Sequence, residues 1–307
     1  MRTPSSLAPA VLLTAIVAVA LVLPSRAQLG AQGTARERTV FASAVDAAGK
    51  PIDGLSVDDF VVREDGARRE VLRVARATEP MDIALLVDNS ASSRDLISPL
   101  REGLMRFVAA MLTTGGPQHN IALIGLAARP TILVDYTSDQ KRLNDGIGRL
   151  FPESTSGMTL LDAIVETSRG LEKREAARAV VVPVITDGIE YTNRYYRDVI
   201  DALTRAGVGL HALTVGTFSV TDDDAVRNRE QVLAEAPGAT GGQRVLLLTP
   251  SAVPAALDRL AAELKGQYKV VYGRPESLIP PEKTEVSASR AGITVRAMPA
   301  RGQKSGA

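Results

Sequence analysis

The chain has 307 residues, 45% of them apolar, enough for a large domain plus a small one with a sizeable core. It has no Cys and two His, which excludes zinc–thiolate sites, cysteine nucleophiles and disulfide frameworks and leaves too few imidazoles for a multi-histidine metal site. The formal charge of +1 falls to about −1 if Arg2 and Arg26 leave with a signal segment, so nothing marks a nucleic-acid binder.

Residues 1–27 read as a signal peptide. Arg2 gives a minimal positive start, residues 7–23 are almost uninterrupted Leu, Ala, Val and Ile, and Ser25 and Ala27 are the small residues of a cleavage site. The apolar run is long for a signal core and short for a spanning helix, so an uncleaved anchor is the alternative. No Cys follows, which excludes a lipoprotein. Either way the working part is expected outside the cytoplasm, secreted or periplasmic, with membrane attachment only if the segment stays uncleaved.

Residues 28–39 are polar and small, a flexible lead-in. Residues 40–79 form an N-terminal β segment, with strands at 40–45, 60–64 and 70–74 and a hairpin signal at Asp65-Gly66. A unit of about 40 residues is too small to fold well alone.

From residue 80 to 265 strands alternate with helices. Strand 83–87 is followed by a helix over about 96–112, whose Leu100, Leu104, Phe107, Val108 and Met111 make one apolar stripe. Strands at 120–126 and 131–134 precede helices at 139–150 and 160–171. Strand 179–185, helix 196–206, strand 208–215, helix 222–236, strand 244–248 and helix 251–264 complete the set. Apolar strands each followed by a helix argue for a doubly wound α/β fold, its mostly parallel sheet covered on both faces. Residues 266–300 return to β, with strands at 267–272, 284–287 and 293–296. Neither flank is large enough alone, so both are expected to join in one small β module with the α/β domain inserted between them. Residues 301–307 read as a disordered tail.

Three loops at the carboxyl side of this sheet carry oxygen groups. Strand 83–87 stops at Asp88-Asn89-Ser90-Ala91-Ser92, where open α/β sheets bind ligands. Asp88, Ser90 and Ser92 are hard oxygen donors, suited to Mg²⁺ or Mn²⁺ rather than zinc. The second loop is Ser154-Thr155-Ser156-Gly157-Met158-Thr159, with Thr159 at the N-cap or first turn of a helix. The third is Asp187, followed by Gly188, which permits a tight turn. Taken singly, each has a plainer reading: Asp88, Ser90, Ser92 and Thr159 as helix caps, Asp187-Gly188 as an ordinary turn.

Other groups read as structure. His119, in a polar turn, is a solvated loop histidine, and His211 a satisfied core or edge residue. Asp222-Asp223-Asp224 is an acidic first helical turn. Residues 238–242 follow a helix and precede a strand, the reverse of a nucleotide loop, and read as a turn. Tyr191, Tyr195 and Tyr196 either line the rim of a binding face or cover the sheet edge.

Together, Asp88-x-Ser90-x-Ser92, the distant Thr159 after a Gly-containing loop, and Thr186-Asp187-Gly188 after a buried strand resemble the metal-ion-dependent adhesion site of the von Willebrand factor type A domain, over about residues 80–265. The stretch from Val45 to Gly66 and that from Gln267 to Tyr272 resemble the flanks of bacterial VWFA-related proteins. The resemblance implies that Ser90 and Ser92 bind a cation directly, Thr159 directly or through water, and Asp88 and Asp187 largely through bound waters. It implies Mg²⁺ or Mn²⁺ with one position left for an Asp or Glu carboxylate of a partner protein. Gly157-Met158-Thr159 keeps the family's Gly-x-Thr form with a bulky middle residue, which bears on affinity. The expected function is an extracytoplasmic binding module, not an enzyme, acting on neither nucleic acid nor, once cleaved, a membrane. The alternative is a periplasmic scaffold or assembly factor with an empty or purely structural site. A phosphohydrolase of the haloacid dehalogenase type needs a second Asp where this chain has Ser90.

Overall fold

The computed structural model describes residues 35–155, 157–216, 223–275, 279, 281 and 283–299. The signal segment, the tail, Ser156 and Asp222 lie outside the described residues. In chain order the elements are β1 (Ala35–Val45), β2 (Phe60–Glu64), β3 (Ala67–Arg69), β4 (Val71–Arg76), β5 (Met81–Val87), α1 (Ile97–Met111), β6 (Asn120–Gly125), β7 (Thr131–Thr137), α2 (Gln140–Gly148), β8 (Gly157–Met158) and α3 (Leu160–Arg174). They continue as β9 (Arg178–Thr186), β10 (Ile189–Glu190), α4 (Tyr196–Ala206), β11 (Val208–Val215), α5 (Asp224–Thr240), β12 (Gln243–Leu247), α6 (Val253–Lys265), β13 (Tyr268–Pro275), β14 (Thr284–Ala288) and β15 (Thr294–Pro299).

The central sheet has the order β12-β11-β9-β5-β6-β7, parallel except for the edge strand β7, which runs against β6. β5 lies in its middle and every one of its residues is buried, because helices cover both faces. Ile83, Leu85 and Val87 join one core with Leu100, Leu104 and Phe107 of α1 and Leu257 of α6. Ala84 and Leu86 join another with Ile164 of α3, Leu203 of α4 and Leu233 of α5. Alternate residues of one strand thus feed two cores, which is why the strand reads as continuously apolar.

The chain segments on either side of this domain pair with each other. β1 runs antiparallel to β13 on one side and to β15 on the other, in the sheet β15-β1-β13-β4. A three-stranded sheet β14-β2-β3 completes the module. Between β2 and β3, Asp65 and Gly66 both have positive φ (48° and 82°), the two-residue hairpin its sequence demands. Val40, Ala42, Phe60, Val62, Tyr268 and Val270 form its small core, drawn from both flanks.

Several expectations need correction. Residues 35–39, read as flexible, are strand, because β13 extends to Pro275 and gives them backbone partners. α5 continues past Pro237 to Thr240, where a turn was expected. Thr240 Oγ1 donates to Ala236 O (2.7 Å) and accepts the N–H of Leu210 (3.0 Å), tying this extra turn to β11 before Gly241 ends the helix at φ 76°. His119 is not a solvated loop residue. It is buried, and its Nδ1 accepts the N–H of Met81 (3.0 Å), the first residue of β5. Burial pushes its pKa down to about 4, so it is a neutral acceptor. His211 is core, but neither ring nitrogen has a hydrogen-bond partner among the described residues, and burial lowers its pKa to about 4. No helix among the described residues is long and apolar enough to cross a membrane.

Candidate metal centre

β5 and β9 end side by side. Val87 lies opposite Val184, and the next residue, Asp88, donates its N–H to Val184 O (3.0 Å). The chain leaves β5 towards β6 on one side and returns as β9 on the other, so Asp88 sits where the strand order reverses. Asp88 is fully buried, and a buried carboxylate must be hydrogen-bonded. Its Oδ1 accepts the N–H of Ser90 (2.9 Å), and its Oδ2 accepts the N–H (3.2 Å) and the hydroxyl of Thr186. The charge is thereby fixed behind the serines rather than presented to solvent.

Ser90 Oγ and Ser92 Oγ are 2.7 Å apart, and Thr186 Oγ1 lies 3.3 Å from Ser92 Oγ. A short 3₁₀ turn over Ala91–Ser93, closed by Ser93 Oγ donating to Ser90 O (2.7 Å), holds the two alternate serines together. Ser90 is buried while Ser92 is exposed.

The second loop is fastened to the first. Ala91 N–H donates to Thr155 O (2.8 Å) and Glu153 N–H to Asn89 O (2.7 Å). Asn89 returns a bond from Nδ2 to Glu153 Oε1 (3.1 Å), and its Oδ1 accepts the N–H groups of Leu126 (3.0 Å) and Ala127 (3.1 Å). Thr159 is buried at the N-cap of α3 but makes no side-chain cap. Its hydroxyl instead donates to Leu126 O (3.1 Å). A neutral hydroxyl that gives its proton to a carbonyl keeps its lone pairs for another acceptor role. Met158 is buried in the core beneath α3 and α4, so its bulk points away from the loop surface.

The third loop packs on both. β10 pairs in parallel with β8, Ile189 opposite Gly157 and Glu190 opposite Met158. A Cβ on Gly188 would lie 2.5 Å from Ser92 Oγ, so any larger residue here would push the Ser92 hydroxyl out of its place beside Ser90. The buried Arg229 of α5 donates to Gly188 O from behind. Asp187 is exposed at the rim.

The structure therefore brings Asp88, Ser90 and Ser92 into one bonded group, with Asp187 next to it in the chain through Thr186 and Gly188. Thr159 stands on the adjoining loop, with no direct bond to that group. Tyr191 and Tyr195 are about half exposed beyond Asp187, whereas Tyr196 packs on the core below α4. Of the acidic triplet, the described residues Asp223 and Asp224 start a helix: Asp223 caps α5 by accepting from Ala225 N–H (2.8 Å).

Four participants escaped sequence reasoning. Thr186 binds Asp88, and Asn89 joins the first loop to the second. Thr155 Oγ1 is buried on the second loop with no hydrogen-bond partner among the described residues. Glu190 is buried too. Its Oε2 accepts the N–H of Leu160 (3.3 Å), and its Oε1 accepts the N–H (3.1 Å) and hydroxyl of Thr192. Burial raises its pKa to about 7 against these bonds. Thr186 stands in the Thr-Asp-Gly motif, but the motif gives it no role of its own; the rest depend on contacts between loops.

The donors fit a hard cation. They are hydroxyl and carboxylate oxygens, with no imidazole or thiolate among them. Among the described residues no three His, Cys, Asp or Glu side chains gather to hold a metal. The Thr155 hydroxyl, without a partner among the described residues, and the Thr159 hydroxyl belong to the loop that Ala91 N–H and Asn89 O tie to the serine turn.

Residues 83–190 match the family model of the von Willebrand factor type A domain. The chain therefore contains a von Willebrand factor type A domain, and its doubly wound sheet is that fold. Proximal thread matrix protein 1 from the mussel byssus is similar at 16% identity and a TM-score of 0.51, over 66% of this chain and 50% of that one. A von Willebrand factor type A protein from Catenulispora acidiphila is similar at 11% identity and 0.50, over 88% and 74%. The pilus adhesin SpaC from Lactobacillus rhamnosus GG, in an open conformation, is similar at 13% and 0.50, over 79% and 47%. The chain spans about half the length of the mussel and the pilus proteins. No curated protein matches the sequence.

Proposed function

We propose that the chain is an extracytoplasmic protein-binding module. Ser90, Ser92 and Thr159 would hold a divalent cation, Mg²⁺ or Mn²⁺, through their hydroxyls, with Asp88 and Asp187 supplying negative charge close by. The cation would supply a Lewis-acidic position for an Asp or Glu carboxylate of a partner protein. The observation that carries this reading is the bonded group of Asp88, Ser90, Ser92 and Thr186 at the strand-order reversal, with neutral hydroxyls in front and a carboxylate fixed behind. Mg²⁺ prefers six oxygens and dehydrates reluctantly, which suits a few hydroxyls assisted by water-mediated carboxylates.

The reading is of recognition rather than catalysis. Asp88 is committed to three protein donors, Ser90 stands where a second acid would be needed for phosphoryl chemistry, and neither histidine belongs to the loops. The similarity to a pilus adhesin supports an adhesive role outside the cytoplasm. Residues 1–27, as a signal segment, would take the chain there.

Isothermal titration with Mg²⁺ and Mn²⁺ tests the proposal on the wild type and on Ser90→Ala and Asp187→Ala. Binding in the micromolar-to-millimolar range, lost in both variants, is the expected result. No heat in the wild type would favour a scaffold whose site is purely structural.

A further inference from the structure

The first turn of α3 carries an arrangement that the motif does not contain. A Thr at an N-cap ordinarily folds its oxygen back to accept an N–H of the first turn. Thr159 does not: it makes no side-chain cap, and its hydroxyl donates to Leu126 O (3.1 Å). Glu190 Oε2, from another loop, accepts the N–H of Leu160 (3.3 Å), the first helical residue, whose amide an N-cap side chain leaves unpaired. Glu190 is 2% exposed and is held from its other side by the N–H (3.1 Å) and hydroxyl of Thr192. The two-residue pairing of β10 with β8 sets Glu190 opposite Met158, the neighbour of Thr159. A carboxylate at a helix N-terminus also meets the positive end of the helix dipole.

We infer that Glu190 is a positioning residue for the cation site: by holding the Leu160 amide it fixes the backbone next to Thr159, whose hydroxyl donates to Leu126 O and keeps its lone pairs for the metal. It also couples the loop of Asp187 to the loop of Thr159, since one carboxylate bonds to both. This rests on the reading of Thr159 as a cation ligand. Glu190 would touch neither metal nor partner. Its effect runs through the Leu160 amide and the geometry of the preceding residue. Groups that orient a metal ligand from behind in this way typically alter metal affinity about 10- to 100-fold when removed.

The test uses the full chain and Mn²⁺ alone. Free Mn²⁺ is followed by electron paramagnetic resonance during titration of wild type, Glu190→Ala and Glu190→Gln, and exchange of the Leu160 amide is followed by NMR in the metal-free proteins. Glu190→Ala is expected to weaken Mn²⁺ binding about 10-fold or more and to speed exchange at Leu160. Glu190→Gln is expected to lose clearly less affinity than Glu190→Ala, because the amide oxygen still accepts from Leu160, although the nitrogen in place of Oε1 can no longer accept the Thr192 N–H. If Glu190→Ala is too unstable to study, Thr192→Val loosens the same carboxylate more mildly and should weaken binding in the same direction. Wild-type affinity in Glu190→Ala, or equal loss in Glu190→Gln, overturns the inference. A wild type that binds no Mn²⁺ overturns the metal reading instead, and the Leu160 exchange then still reports whether Glu190 holds that amide.

Discussion

At the amino end of the central sheet, buried polar groups are hydrogen-bonded to other protein groups. Arg178, 1% exposed at the start of β9, donates to Glu79 O (3.0 Å from Nε), Leu264 O (3.5 Å) and Gln267 Oε1 (3.2 Å). Gln267 passes the connection to Ser43 of β1 (3.2 Å), and His119 takes the N–H of Met81 (3.0 Å). At the carboxyl end the carboxylate of Asp88 is equally well matched, yet in front of it two serine hydroxyls bond each other, the Thr155 hydroxyl lacks a partner among the described residues, and Asp187 is exposed. One end is closed by its own bonds and joins the flanking strands to the domain. The other leaves acceptor capacity unused. A protein that needed only stability would have no reason to treat its two ends so differently.

The comparison can be broken first at Arg178. Arg178→Met strands several buried carbonyl and amide acceptors and should cost about 3 kcal/mol or more, with metal affinity unchanged in the protein that remains folded. Urea unfolding and Mn²⁺ titration on the same sample check both halves.

Acid is the next probe. Burial holds His211 near pKa 4, below the usual imidazole value, with Glu263 opposing and Arg296 reinforcing the shift. The unfolded chain therefore binds the proton first as pH falls. The stability from keeping this ring neutral is complete above about pH 6.5 and is lost as pH falls towards 4, by at most about 3 kcal/mol. His119, also near 4, supplies a similar share. His211→Leu should flatten this acid limb, as read from urea midpoints between pH 7 and 4.5.

Gly188→Ala sharpens the contrast at the other end. Its Cβ would press on Ser92 Oγ, so Mn²⁺ affinity should fall about tenfold, while stability changes by only about 1 kcal/mol because Ser92 is exposed and can rotate. Calorimetry and thermal melting separate the two. Smallest of all, Asp187→Asn should leave stability within about 0.5 kcal/mol, since the side chain is exposed.

Much of this organisation was legible in the residues. Strands apolar at every position, each followed by an amphipathic helix, can only be buried on both faces, and so 81–87 and 178–186 became neighbours in a parallel sheet. Asp88, Ser90, Ser92, Thr159 and Asp187 stood out because each follows a buried strand or opens a helix. What escaped depended on contacts with no local pattern. Glu190 belongs to a two-residue strand, too short for any periodicity, and its partner Leu160 is thirty residues away. His119 sits in Pro-Gln-His-Asn, which looks like solvent-facing turn, but the N–H of Met81 needs an acceptor when β5 enters the core. The end of α5 was misplaced because Pro237 and Gly238 oppose helix locally, and the bond from Leu210 to Thr240 outweighs them.

The central claim is that the carboxyl-end loops form a binding site and the amino-end cluster a structural joint. The most direct test is the urea midpoint with and without saturating Mn²⁺ for wild type, Arg178→Met and Asp187→Asn. A ligand at a hundred times its dissociation constant stabilises the folded state by about 2.7 kcal/mol. The account predicts that Mn²⁺ raises the midpoint of wild type and of Arg178→Met by similar amounts and leaves that of Asp187→Asn unmoved. No shift in the wild type, or an equal shift in Asp187→Asn, would contradict it.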